Sequence, residues 1–179
     1  RALSTSTLRV LQTDQLAGLG TDQMAALSSV QVPVLTSVQI SNLSSTNLNA
    51  LSSSQFALLT TAQVGALTTS QASTLETNDL AAIGSAGLRA LNSGHLSAFS
   101  SDQIVALTSA QVGSITSVQA AGLNSVQIAA FETGDLRAMT SSTLRVLGTE
   151  LINALTTDQV GALLTSQVAS LTSLQLGAL

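Results

Sequence analysis

An eight-residue repeat runs without interruption through almost the whole sequence. After the first three residues the chain divides into 22 consecutive blocks with the consensus T-[ST]-x-Q-[VIL]-x-A-L. Position 2 of a block is Ser or Thr, position 5 is apolar, and position 8 is Leu, Ile, Phe or Met in all 22 blocks. Position 4 is Gln in 14 of them, and position 7 is mostly Ala. Columns that recur in every unit indicate a repeat fold built from one small structural unit.

The period of eight excludes one continuous helix or strand. Eight residues overshoot two α-helical turns by about 80°, so the apolar columns would spread around a long helix. In a strand, positions 5 and 8 would point to opposite faces. Within one short helix they are three residues apart and share a face. We therefore predict a helix over positions 3 to 8 of each block, followed by a tight turn.

Two columns are candidates for the helix N-cap. Ser or Thr at position 1 with Gln or Asp at position 4 has the spacing of a capping box. Ser or Thr at position 2 is the alternative N-cap, accepting from the amides of positions 4 and 5. Because position 2 is the more uniform column, we predict that it carries the main cap.

Helices this short do not persist alone in water, so they must pack on their neighbours. The sequence predicts an all-α, tightly wound solenoid over residues 1–179, a single uninterrupted array with positions 5 and 8 in its interior. A β-solenoid is the alternative, because it also accommodates short repeats and rows of Ser and Thr. The sequence leaves open whether one or two blocks complete a superhelical turn.

Composition excludes several classes of function. The chain is 45% apolar and only 8% charged, with 27 Ser, 22 Thr and no Cys, Lys, Trp or Tyr. Without Cys there is no disulfide framework, thiol catalyst or Cys-based zinc site. A net charge of −4 argues against binding to nucleic acid through phosphate neutralisation. No apolar run approaches the length of a membrane span.

The rare titratable residues fall within the repeat. His95, the only His, occupies the Gln column, and we interpret it as a polar substitute for Gln rather than a general base or metal ligand. Glu76 with Asp79, and Glu132 with Asp135, occupy positions 1 and 4 of two blocks. Paired carboxylates suit glycoside hydrolysis or calcium binding, but this spacing favours helix capping. We assign no catalytic, cofactor-binding or metal-binding residue and expect no cofactor or small-molecule substrate.

Positions 6 and 3 are predicted to face outward. Four of the five arginines lie at position 6, as does the single proline, which suits the first turn of a short helix: Arg9, Pro33, Arg89, Arg137 and Arg145. We expect these arginines to be solvated or paired with nearby acids.

Large apolar residues at position 3 are either lateral contacts or surfaces covered by the next coil, and both interpretations stay open. They are Val30, Val38, Val118, Val126 and Leu174. Ranks of hydroxyl groups at positions 1 and 2 raise ice binding as a further hypothesis, although capping already explains them.

The array resembles tandem repeats of very large bacterial surface or secreted adhesin-like proteins. Thr60–Leu67 reads T-T-A-Q-V-G-A-L and Thr156–Leu163 reads T-T-D-Q-V-G-A-L. The resemblance covers the whole chain and implies a scaffold in an extracellular setting, with no catalytic residues.

These observations predict a structural segment, a rod, stalk or filament, of a bacterial cell-surface or secreted protein, and not an enzyme. The alternative is a binding module that displays a site for carbohydrate, ice or calcium on the solenoid face. Both ends of the sequence are regular blocks with apolar residues at position 8, so we also expect end-to-end and lateral self-association.

Overall fold

Short α-helices begin at position 2 of the blocks. The computed structural model describes residues 3–179, and in this part of the chain 21 α-helices of four to six residues follow one another without any strand. They are α1 (Thr5–Val10), α2 (Thr13–Ala17), α3 (Thr21–Ala25), α4 (Ser37–Ser41), α5 (Ser45–Leu48), α6 (Ser53–Phe56), α7 (Thr61–Gly65), α8 (Thr69–Ser73), α9 (Thr77–Ala82), α10 (Ser85–Ala90), α11 (Ser93–Ser97), α12 (Ser101–Val105), α13 (Ser109–Val112), α14 (Ser117–Ala120), α15 (Ser125–Ala130), α16 (Thr133–Ala138), α17 (Ser141–Arg145), α18 (Thr149–Asn153), α19 (Thr157–Ala162), α20 (Thr165–Ser170) and α21 (Ser173–Leu176). The prediction of an all-α fold is confirmed.

The block that contains Pro33 is the exception. Its helix is a single 3-10 turn, Val32–Val34, between α3 and α4. Proline has no amide hydrogen to donate to the preceding turn, so a regular α-helix cannot form across this position. Val32 at position 5 and Leu35 at position 8 are nevertheless buried like their counterparts. The backbone changes its helix type here while the core columns are kept.

The N-cap lies at position 1, and the prediction that position 2 carries it is wrong. In α7 the Thr60 hydroxyl accepts from the Gln63 amide at 3.2 Å, and the Gln63 side-chain oxygen accepts from the Thr60 amide at 2.7 Å. These two bonds form a capping box, the second of the two arrangements that the spacing allowed. Thr61 at position 2 is the first helical residue. Each helix therefore begins one residue earlier than position 3.

Positions 5 and 8 form the core, as predicted. Ile104 at position 5 is fully buried and Leu107 at position 8 is 3% exposed, whereas Val105 at position 6 is 45% exposed. Position 5 is also buried where the residue is small, at Ala72 and Ala120. The i, i+3 spacing places both columns on one face of each helix, and that face is turned inward.

Successive coils pack with an offset of three blocks, within each of two compact units that extend to Leu91 and from Asn92 onward. In the first unit the packed pairs of α-helices are α2 with α4, α3 with α5, α4 with α7, α5 with α8, α6 with α9, and α7 with α10. In the second unit they are α11 with α14, α12 with α15, α13 with α16, α14 with α17, α15 with α18, α16 with α19, α17 with α20, and α18 with α21. This regular pairing is that of a helical repeat solenoid.

Hydrogen bonds between coils join residues 25 to 31 positions apart. At the lower end, the Ser37 hydroxyl donates to the Ala62 carbonyl, 25 residues away. At the upper end, the Gln39 side chain donates to the Leu8 carbonyl, 31 residues away. A turn therefore takes about 28 residues, between three and four blocks, and not the one or two blocks considered from the sequence.

Adjacent coils approach closely where small residues face each other. A Cβ on Gly122 would lie 2.4 Å from the Ser93 carbonyl oxygen. Position 7 is therefore a packing position here, and its small residues let the backbones meet. None of the described helices is long and apolar enough to cross a membrane.

Candidate functional site: the amide ladder and the exposed columns

The side chain at position 4 is buried and joins two coils. Gln63 is 2% exposed. Its oxygen accepts from the Thr60 amide of its own block, and its nitrogen donates to the Val32 carbonyl at 2.9 Å and the Leu35 carbonyl at 2.7 Å. We call these cross-coil bonds from position 4 to the carbonyls of positions 5 and 8 the amide ladder. It satisfies carbonyls that the short helices leave without a partner at their ends.

The ladder recurs in both units with nearly constant geometry. Glutamines donate to the carbonyl 28 residues earlier at 2.6 to 2.9 Å. The donors are Gln31, Gln39, Gln55, Gln63 and Gln71 in the first unit and Gln127, Gln159, Gln167 and Gln175 in the second.

The chemistry of the carboxamide explains the choice of Gln. One end accepts from the cap amide while the other end donates to the coil below, and an ionised Glu has no hydrogen to donate. Two shorter side chains keep only the nearer contact. Asn47 donates to the Leu19 carbonyl and the Thr143 hydroxyl donates to the Ile115 carbonyl, each at 3.0 Å and each 28 residues back.

His95 takes the place of a ladder glutamine, as predicted. It is 3% exposed, and its Nδ1 accepts from the Asn92 amide at 3.0 Å. The Asn92 side chain in turn accepts from the His95 amide at 3.1 Å. The imidazole thus closes a capping box and does not face a solvent-accessible nucleophile.

The acidic blocks depart from the capping role predicted for them. Glu76 and Glu132 precede their helices, but neither side chain makes a capping hydrogen bond. Asp79 and Asp135 are buried at position 4. Each carboxylate accepts from a serine hydroxyl of the coil below, Asp79 from Ser53 at 2.7 Å and Asp135 from Ser109 at 2.5 Å. Among the described residues, no group of three or more acidic, His or Cys side chains has an arrangement that could hold a metal ion.

The columns predicted to face outward do so. The four described arginines at position 6 are exposed, and no ion pair joins them to an acid within residues 3–179. At position 3 the large apolar side chains are exposed by 63% to 79%, so the next coil does not cover them. They are Val30, Val38, Val118, Val126 and Leu174.

Two surface grooves lie where blocks meet. One, of about 460 Å³, is lined by Phe99, Ser100, Ser101 and residues 124–127. The other, of about 380 Å³, is lined by Arg9, residues 33–37, Thr60, Ala62 and Gln63. Their walls are mostly hydroxyl groups and aliphatic side chains. Arg9 is the single charged residue in either lining, so neither groove gathers the convergent charged groups of a catalytic pocket.

The ladder has open positions in the first and last coils. Gln15 and Gln23 close capping boxes with the Gln12 and Gly20 amides, but their side chains are exposed and donate to no described carbonyl. At the other edge Val168 is half-buried and Leu176 is 47% exposed, although position 5 is buried in the blocks up to Ile152. One edge thus offers donors and the other offers carbonyls and apolar side chains.

The ladder is the functional feature that the sequence argument missed. A signal for it was present, because position 4 lies four residues before position 8 and so belongs to the same helix face. The strong preference for Gln over every other polar residue is the second signal. Local pattern alone does not reveal that the partner is a carbonyl 28 residues away.

A solenoid of capped octapeptide helices joined by buried amides defines a class of structural repeat. The ALTTAQ repeat model matches residues 1–29, 32–69, 72–109 and 128–165, which together make up well over half of the chain. The chain belongs to the ALTTAQ repeat family. These six letters correspond to positions 7, 8, 1, 2, 3 and 4 of the block, as in Ala154–Gln159, so they span the core residue, the cap and the ladder amide. No curated protein matches the chain.

Proposed function

We propose that this chain is a non-catalytic structural segment, a rod or stalk, of a bacterial cell-surface or secreted protein. The observation that supports it is that the conserved columns of the block are used in folding: position 1 caps, position 4 joins coils, and positions 5 and 8 fill the core. The remaining charges are scattered over exposed positions. A repeat whose regular positions serve only its own packing suits a spacer of adjustable length.

Small-angle X-ray scattering tests the structural role. A compact protein of this length has a radius of gyration of about 16 Å. We expect a clearly larger value for this chain, with the scattering of an elongated particle, compared with a globular control of equal mass. A radius of gyration equal to that of the control would contradict the rod.

Surface display is tested in the bacterium that encodes the chain. Antibodies raised against residues 1–179 should label intact cells or a secreted fraction. Labelling that requires cell lysis, with none in the medium, would contradict the proposed location.

We further propose that the array extends itself by end-to-end contact between copies. An edge with free Gln donors fits an edge with free carbonyls and exposed apolar side chains, whichever chain supplies the next coil. A head-to-tail contact of this kind repeats without closing. The low charge of the chain adds little repulsion between copies.

Sedimentation velocity over a concentration series tests this contact. Replacing Gln15 and Gln23 by Glu removes the donors and places anions opposite carbonyls, so association should weaken. The matched control replaces Ser6 and Ser29 by Glu, which adds the same charge at exposed positions away from the ladder. Equal sedimentation of the two variants, or a wild-type chain that stays monomeric at high concentration, would contradict end-to-end association.

A further inference from the structure

Two buried aspartates occupy positions that a ladder glutamine fills elsewhere. Asp79 is 3% exposed and Asp135 is 6% exposed. Each accepts a hydrogen bond from a serine three blocks earlier, Ser53 or Ser109. The two carboxylates thus have the same environment in two different units.

The carbonyls that a glutamine would bind from these positions receive no side-chain donor. For Asp79 the carbonyl 28 residues earlier is that of Leu51, and for Asp135 it is that of Leu107. Among the described residues no side chain donates to either one. An ionised carboxylate only accepts hydrogen bonds, so it cannot supply the missing donor.

A side chain of this length reaches the carbonyl. Asn47, which has the same shape as Asp, donates to the Leu19 carbonyl at 3.0 Å from the same position of its block. The still shorter Thr143 donates to the Ile115 carbonyl at 3.0 Å. What the aspartates lack is therefore a hydrogen to donate, and not length.

We propose that Asp79 and Asp135 are acid-operated latches between coils. When the carboxylate takes up a proton from solvent, its new O–H group donates to the Leu51 or Leu107 carbonyl, and its other oxygen keeps the bond from serine. Protonation thus completes the ladder at two positions where it is open at neutral pH. The array is then held more tightly in acid than at neutral pH.

The electrostatic surroundings of Asp79 favour the proton. Burial raises the pKa of Asp79, the hydrogen bond from Ser53 lowers it, the nearby charge of Glu76 raises it, and the net direction is upward. Helix α6, which packs on α9, carries no charged side chain. The folded state then binds this proton more tightly than the unfolded chain. Stability is therefore highest below the ordinary carboxyl pKa and falls as pH rises through the raised value.

The charges around Asp135 are similarly sparse. Its own block contributes Glu132 and Arg137. Helix α13 brings no charged residue, and α19 brings the exposed Asp158. No arginine ion pair holds the Asp135 carboxylate in its charged form within the described chain, so the same latch operates there.

Thermal unfolding of the whole chain between about pH 4 and pH 8 tests the latch. We expect the wild-type Tm to rise as the pH falls. The double variant Asp79→Asn, Asp135→Asn supplies the missing donors permanently. Its Tm at neutral pH should be higher by about 2–4 °C per position, the shift for one hydrogen bond in a chain of this size, and its pH dependence should be flatter.

The control variant Asp22→Asn, Asp102→Asn removes two exposed carboxylates, one from each unit. It should keep the wild-type pH dependence, which separates the latch from a general effect of net charge. A double variant at positions 79 and 135 that retains the wild-type pH curve would overturn the proposal.

The converse substitution tests the latch without relying on those variants. Asn47→Asp should import it, lowering Tm at neutral pH and restoring it near pH 4. An Asn47→Asp chain whose Tm deficit is the same at all pH values would contradict the mechanism, as would carboxyl NMR titration that places the pKa of Asp79 at or below its ordinary value.

Discussion

At the scale of the residue, Gln at position 4 has two separate roles. Its oxygen closes the cap of its own helix, and its nitrogen binds the coil below. The exposed and buried copies allow these roles to be separated, since Gln15 makes only the capping bond whereas Gln63 makes both.

We predict that Gln63→Ala lowers the free energy of unfolding by about 2–4 kcal/mol, because it leaves buried carbonyls and a cap amide without partners. Gln15→Ala, which loses the cap acceptor alone, should cost about 1 kcal/mol or less. Chemical denaturation monitored by circular dichroism measures both. Equal costs would mean that the cross-coil bonds contribute nothing.

The cap column gives a second prediction at this scale. Ser100→Ala and Thr156→Ala remove hydroxyls that accept from the third helical amide, and each should cost about 1 kcal/mol. Ser101→Ala and Thr157→Ala, at position 2, should cost less. Thermal melts of the four variants decide the ranking, and the opposite ranking would place the cap at position 2 after all.

At the scale of the element, each helix is a small amphipathic unit. Positions 4, 5 and 8 face inward, while positions 3 and 6 face solvent. Helices of four to six residues have too few internal hydrogen bonds to persist alone, so the buried face supplies their stability.

Core truncation in block 100–107 tests this arrangement. Leu107→Ala removes a side chain that is 3% exposed and should cost about 2–5 kcal/mol. Val105→Ala, two residues away and 45% exposed, should cost about 1 kcal/mol or less. Urea unfolding of the two variants is the measurement. Similar losses would show that positions 5 and 8 do not define the buried face.

At the scale of the whole molecule, the ladder connects each block to the fourth block before it. Because the blocks are chemically alike, removal of one complete block leaves every remaining position 4 opposite an equivalent carbonyl. Removal of half a block does not.

We predict that deletion of residues 156–163 preserves the helical signal per residue and lowers Tm only slightly, as expected for a repeat array. Deletion of residues 156–159 should disrupt the register of later blocks and lower both quantities strongly. Circular dichroism at the helical minimum measures both. An equal loss in the two variants would contradict block-wise pairing.

The sequence by itself determined the eight-residue unit, the helical conformation and the two apolar core columns. These follow from spacing within a single block: positions 5 and 8 are a helical i, i+3 pair, and polar residues flank them. It also identified His95 as a substitute for Gln, because that residue occupies the same column. The local capping chemistry was present in the spacing of positions 1 and 4, although position 2 was the more uniform column.

Only the tertiary structure decided how many blocks form a turn and what position 4 contacts. The partner of Gln63 is a carbonyl 28 residues earlier, and every block offers the same carbonyl, so the sequence contains no information on which one is chosen. Asp79 shows the same limit, because its place beside Glu76 suggests a cap, whereas the coil below buries it against Ser53. In a chain of nearly identical units, local pattern fixes the unit, and packing between coils fixes its neighbours.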